Sequence, residues 1–255
     1  MDLRGKNAVI SGGATGAGGA GSIAYAAAGA HVAIIDINLS AAEERVREIE
    51  AAGGRAFAVG ADVSVAADVE AAAGAILDRF GGRVDTLWNH AGTVVVKDFL
   101  DTTEADWDRL MSINVKSMFL VTKAFVPAML SAGRGTIVNT SSISAVAGTE
   151  KEVLYCTTKG ACHMFTRAIA IEYRSRGLRC NAVCPGFIRT PHGLRELDAL
   201  RAQGVAVSEE DIVRLQGRIC EPEEIANVAL FLASDASSFV NGETVFADNA
   251  MLVGT

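Results

Sequence analysis

Six glycines fall within residues 12–21, directly after the apolar run 7–11. A junction of that kind commits the chain to a strand that turns tightly into a helix, because glycine tolerates left-handed backbone and leaves the N–H groups uncovered. The same rhythm continues. Short β-branched runs at 7–11, 31–36, 55–61, 84–89, 135–141, 178–184 and 243–247 alternate with stretches at helix spacing. This alternation predicts a parallel sheet covered by helices on both faces. With 255 residues, half of them hydrophobic, one large core can be buried. One α/β domain over 1–255 is therefore expected, with an irregular insertion at about 187–217 before a helix that starts at Pro222.

The general dinucleotide pattern G-x-G-x-x-G fits Gly16, Gly18 and Gly21, although these begin several residues beyond the strand. N–H groups at the positive end of a helix favour a pyrophosphate at such a turn. The second strand ends at Asp36, and Ser40 to Glu43 read as a capping box, so Asp36 is not needed to start the next helix. A carboxylate there accepts ribose hydroxyls and repels a 2′-phosphate, which points to NAD rather than NADP. A solvated strand-end carboxylate is the alternative.

Tyr155 and Lys159 lie four residues apart, hence on one helix face. For the phenol to act as a base near neutrality its pKa must fall by about 3 units, roughly 4 kcal/mol. A cation about 4 Å away at an effective dielectric of about 20 supplies roughly that amount. By itself the pair is better read as part of an ordinary exposed helix, and the assignment needs the other motifs. The net charge of −7 argues against nucleic acid or an anionic membrane as partner. The chain starts M-D-L-R-G-K with no signal-peptide pattern, and no apolar run approaches ~18 residues, so a cytoplasmic protein is expected. Five cysteines and four histidines lack metal-ligand spacing, so no metal is expected.

These motifs, in this order, resemble the short-chain dehydrogenase/reductase family over nearly the whole chain. The resemblance implies a Rossmann-like doubly wound parallel sheet of about seven strands and a catalytic set of Asn114, Ser142, Tyr155 and Lys159. Ser142 is preferred to Ser141 because it precedes Tyr155 at the family's usual spacing. The family's own glycine pattern, G-x-x-x-G-x-G, falls on Gly12, Gly16 and Gly18 and starts where the strand ends, with Ser11, Thr15 and Ala17 lining the turn. Further cofactor contacts implied are Asp36 with Ile37, Asp62 with Val63 around the adenine, and Asn89, Ala91 and Gly92 of N-H-A-G. Tyr155, Lys159, Pro185, Gly186, Ile188 and Thr190 complete the set, and Asp62 has a structural alternative with Ser64 capping the next helix. The family usually has Asn where His90 stands, and this His reads as a structural donor rather than a base. In the family the residue matching Asn114 interrupts a helix and holds a water that opens a proton exit; a plain buried hydrogen bond is the alternative.

The activity implied is hydride transfer between a secondary alcohol and NAD, with Tyr155 as general acid/base. The alternatives are a carbonyl (3-oxoacyl-type) reductase of the same family and a non-catalytic NAD-binding or scaffold protein. Substrate contacts are expected from Val94, Ser144, Val146, Phe187, His192 and Arg195, with solvated helix faces as the first reading of the charged residues and anion binding by Arg195 or His192 as the alternative. A homotetramer built through helices at about 104–131 and 152–175 is implied as well.

Overall fold

The computed structural model describes residues 1–254. Seven parallel strands form one sheet: β1 (Asn7–Ser11), β2 (His31–Asp36), β3 (Arg55–Gly60), β4 (Thr86–Asn89), β5 (Gly135–Thr140), β6 (Leu178–Pro185) and β7 (Thr244–Ala247). Their order is β3-β2-β1-β4-β5-β6-β7, so the winding reverses between β1 and β4 and opens a crevice beyond the carboxyl ends of those strands. Among the described residues nine α-helices lie between them: α1 (Gly16–Ala27), α2 (Leu39–Ala51), α3 (Ala66–Arg79), α4 (Glu104–Met111), α5 (Ser117–Ser131), α6 (Val153–Tyr173), α7 (Pro191–Ala202), α8 (Glu209–Gln216) and α9 (Pro222–Ala233). The expected fold class is the one observed.

The strands read as nearly continuous apolar runs because both faces are covered. On one face Tyr25 of α1 and Ile225 and Leu230 of α9 pack against Ile10, Ile34 and Trp88. On the other, Ile76 of α3 and Phe125 and Met129 of α5 meet Val9, Leu87 and Ile137. Residues 104–131 are long and apolar enough to span a membrane by length and composition alone. In this fold Val121, Phe125 and Met129 of that run are instead covered by the sheet.

Two local expectations need correcting. Ser40 does not cap α2; Asn38 does, its side chain accepting from the Ala41 N–H at 3.1 Å. Ser64 does not cap α3 and turns back to donate to Asp62 Oδ1. The segment at 187–217 is not irregular either. Thr190 caps α7 by accepting from Gly193 N–H, with Pro191 at the first helical position. Ser208 and Asp211 form the capping box of α8.

Candidate active site

The crevice at the winding reversal is a cavity of about 1070 Å³. One wall is the turn that follows β1. Gly12 and Gly16 have φ of +70° and +56°, the left-handed region that favours glycine. A Cβ on Gly12 would stand 2.8 Å from the Ala91 backbone, and one on Gly18 would stand 2.0 Å from the Gly12 carbonyl oxygen. Gly12, Thr15, Gly16 and Ala17 line the cavity, whereas Gly18 is buried behind them and permits the close packing. Asp36 fixes this turn from the end of β2. Its Oδ2 accepts the Ala14 N–H at 3.1 Å and its Oδ1 the Asn38 N–H at 3.0 Å. Ile37, Asp62, Val63, Ala91 and Gly92 extend the same wall. A backbone cradle next to a carboxylate fits a dinucleotide: N–H groups for the phosphates, an acceptor for the ribose.

Asn89 does not reach the cavity. It is buried, donating to Thr122 Oγ1 at 3.0 Å and to Asn139 Oδ1 at 2.8 Å, and so ties β4 to β5 and α5. Its neighbour His90 is held by Thr140 Oγ1 at 3.0 Å from Nδ1, the hydroxyl that also accepts from Trp88 Nε1 at 2.8 Å. The His90 ring lies 4.9 Å from that of Trp88. Burial, followed by the charge on Lys159, pushes its pKa down to about 3. His90 is thus kept neutral, and it lines the cavity as well.

The opposite wall carries the reactive groups. Ser142 follows β5 and accepts from Ser144 N–H, while Ser141 turns inward to the Lys159 carbonyl. Tyr155 and Lys159 stand one turn apart on α6, the Lys159 Nζ 5.5 Å from the Tyr155 ring centre and donating to the Thr140 carbonyl at 3.0 Å. The widened helical turn Ser112–Lys116 between α4 and α5 presents Asn114, which pairs with both the N–H and the C=O of Thr93 at 2.8 Å. Its Nδ2 also donates to Thr158. Asn114 is therefore a buried clamp, and a Cβ on Gly92 would contact both Asn114 Oδ1 and Lys159 Nζ, so the two lie close together.

Acidification of the phenol by Lys159 is not met in the protein alone. Burial raises the Tyr155 pKa well above 10, the charges of Glu196 and Glu152 add to this, and only the Ser142 hydrogen bond opposes it. Lys159 is itself buried, which lowers its own pKa.

Pro185, Gly186, Phe187, Ile188 and Thr190 form the floor. Gln216, 1% exposed, clamps this turn: its Oε1 accepts from Phe187 N–H at 2.7 Å and its Nε2 donates to the Phe187 and Arg218 carbonyls. Its own carbonyl accepts from Asn249 Nδ2 at 2.7 Å, binding the C-terminal tail to α8. Of the substrate contacts expected, Ser144, Phe187, His192 and Arg195 line the cavity. Val94 and Val146 do not; the short turn that Ser142 caps leaves Val146 58% exposed. His192 is not a cation, since burial and nearby Lys159 and Arg195 push its pKa down to about 4. Sequence reasoning framed the pocket with 150–154 and the insertion from Phe187 onward but missed Arg109 on the wall and the pairing of buried Glu152 with Glu196. Tyr155 at three residues from Glu152 was the available signal.

Glu152 and Glu196 are both held well above the ordinary carboxyl range by burial, and Glu152 also by its neighbour's charge. The folded protein therefore keeps a proton on Glu152 that the unfolded chain releases above its ordinary 4.5. Stability tied to that proton is complete below 4.5 and is lost as pH rises through the raised value. A glutamine has nothing to lose. The melting temperature of Glu152→Gln relative to the parent is expected to rise between about pH 5 and about pH 8; a gap that stays constant would contradict the buried-proton assignment.

A family model described as enoyl-(acyl carrier protein) reductase matches residues 12–251. Dehydrogenase/reductase SDR family member 6 of Danio rerio is 38% identical, over 96% of this chain and 97% of its own. A 2-keto-3-deoxy-L-fuconate dehydrogenase of Xanthomonas campestris pv. campestris is also 38% identical, over 96% of this chain and 80% of its own. The crystal structure of levodione reductase superimposes with a TM-score of 0.93 at 31% identity, covering 99% of this chain and 100% of that one. The glycine cradle, the Ser142, Tyr155 and Lys159 wall and these likenesses converge: the chain belongs to the short-chain dehydrogenase/reductase family and is an oxidoreductase that acts with a nicotinamide cofactor.

Proposed function

We propose that this oxidoreductase interconverts a secondary alcohol and a ketone with NAD as its cofactor. The observation that carries the reading is the convergence of Tyr155, Ser142 and Lys159 on the same cavity that the Gly12 to Ala17 turn and Asp36 enclose. Bound NAD supplies the hydride acceptor. The chain's residues handle the oxygen and its proton. Ser142 holds the substrate oxygen beside the Tyr155 phenol, and Tyr155 takes the hydroxyl proton as carbon gives up its hydrogen. Lys159, with Asn114 on the same side of Gly92, lines the route by which that proton would leave through a water, as the resemblance to the family implies. Backbone at 185–190 closes the floor under the reacting ring.

The phenol's raised pKa favours a second reading of direction. A phenol that stays protonated is ready to donate to a ketone oxygen, as a carbonyl reductase requires. Oxidation should accelerate as pH rises and reduction as it falls, each following NADH absorbance.

Asp36 supports NAD over NADP: a 2′-phosphate beside a carboxylate that already holds two backbone N–H groups meets like charge. NAD is expected to be favoured over NADP by about 100-fold in kcat/KM, with Asp36→Ala narrowing the gap by about tenfold. Equal use of both cofactors would withdraw the assignment. Self-association, to a tetramer as in the family, is supported by exposed Trp107 on α4, Phe119 on α5 and Val153, Met164 and Ile171 on α6. A cytoplasmic setting accords with the acidic composition.

A further inference from the structure

Two carboxyls stand at the reacting end of the cavity, and the alcohol chemistry just proposed gives neither a task. Glu152 immediately precedes α6, three residues before Tyr155, and is fully buried. Among the described residues no N–H or hydroxyl donates to either of its carboxyl oxygens, so the Glu196 carboxyl is the one group it can bond. Glu196 faces it from α7 and lines the cavity. His192, one turn earlier, brings Nε2 to 3.8 Å from Glu196 Oε2, too far for a hydrogen bond. A buried polar cluster left with bonds to make is an arrangement that a ligand completes.

We propose that Glu196, backed by Glu152, receives a hydroxyl on the carbon next to the reacting carbinol, so that the substrate is a neutral polyhydroxylated alcohol. This rests on the oxidoreductase reading with Tyr155 as the proton-transfer group. Two carboxyls this close and this buried cannot both stay ionised, so they share a proton and offer a donor and an acceptor at one place. A hydroxyl is itself donor and acceptor and matches them. An ammonium has donors only, and would need both carboxyls charged. A carboxylate has acceptors only and leaves the acceptor of the carboxyl pair without a donor. The neutral His192 beside them likewise presents one donor and one acceptor. Glu196 touches the ligand in this arrangement, while Glu152 is a positioning residue that holds the shared proton behind it.

The test uses the whole purified protein with NAD and four substrates that share a methyl carbinol: 2,3-butanediol, 2-butanol, β-hydroxybutyrate and 3-amino-2-butanol. The diol should exceed the butanol by about tenfold or more in kcat/KM, since a site built to bond a hydroxyl rejects an analogue without one. Glu196→Met removes donor and acceptor together and should collapse that ratio. Glu196→Gln, whose amide carries both, should keep it. A ratio unchanged in Glu196→Met, or preference for the hydroxy acid or amino alcohol, overturns the proposal while NADH formation leaves the oxidoreductase reading standing. No NADH from any of the four sinks both.

Discussion

Exchanging Tyr155 for Phe is expected to reduce turnover by about 100- to 10,000-fold, the usual contribution of a positioned proton-transfer group. The ring stays in place, so neither the fold nor the cradle formed by Gly12 and Gly16 is disturbed. What disappears is the phenolic oxygen that bonds Ser142 and that burial and the Glu196 and Glu152 charges hold protonated. NAD affinity, followed by quenching of protein fluorescence, should remain near that of the parent. The loss should therefore appear in kcat rather than in the cofactor's KM. A variant that oxidises alcohols at the parental rate would remove Tyr155 from the chemistry and with it the roles given to Ser142 and Lys159.

Gly18→Ala should be the most damaging single methyl in the cofactor turn. Its Cβ would lie 2.0 Å from the Gly12 carbonyl oxygen and 2.6 Å from the His90 ring. The first is backbone and cannot swing away, so the helix start or the turn must move. Overpacking of this kind costs about 1–3 kcal/mol. For a chain of this length that corresponds to a melting-temperature drop of about 2–12 °C, measurable by calorimetry. The displaced N–H groups should also raise the KM for NAD by about tenfold, or roughly 1.4 kcal/mol of lost phosphate binding. Gly74, in α3, has nothing within 4 Å of an added Cβ and serves as the control. If Ala at 18 were as mild as Ala at 74, close packing would not be the reason for that glycine.

The features legible beforehand share one property: their causes are local. Strand period and turn chemistry are written within a few residues, so the β1 strand, the Gly12 to Gly16 turn and the Asp36 terminus could be placed from sequence. The two helices of 187–217 were also signalled, by Thr190 with Pro191 and by Ser208 with Asp211, but weak apolar periodicity obscured them. Asn89 was misplaced for a different reason. The partners that draw it away from the cavity, Thr122 and Asn139, are 33 and 50 residues distant, so nothing near it in the chain announces them. The same distance hid the pairing of Glu152 with Glu196. It also explains why the spacing of Tyr155 and Lys159, sufficient for an acidic phenol in isolation, omitted the carboxyls and the burial that oppose it.

Gln216 fastens three stretches, the turn at Phe187, the loop at Arg218 and the tail at Asn249, and so reinforces the backbone bonds from Cys220 to Phe187 and from Gly186 to Ala247. The tail at Asn249 therefore bears on the cavity floor through Gln216, and Met251 and Leu252 line the cavity itself. Appending an affinity tag or fluorescent fusion at the C-terminus would load that fastening, and the amino end, where Met1 and Asp2 are exposed far along from this joint in sequence, is the better place for an attachment.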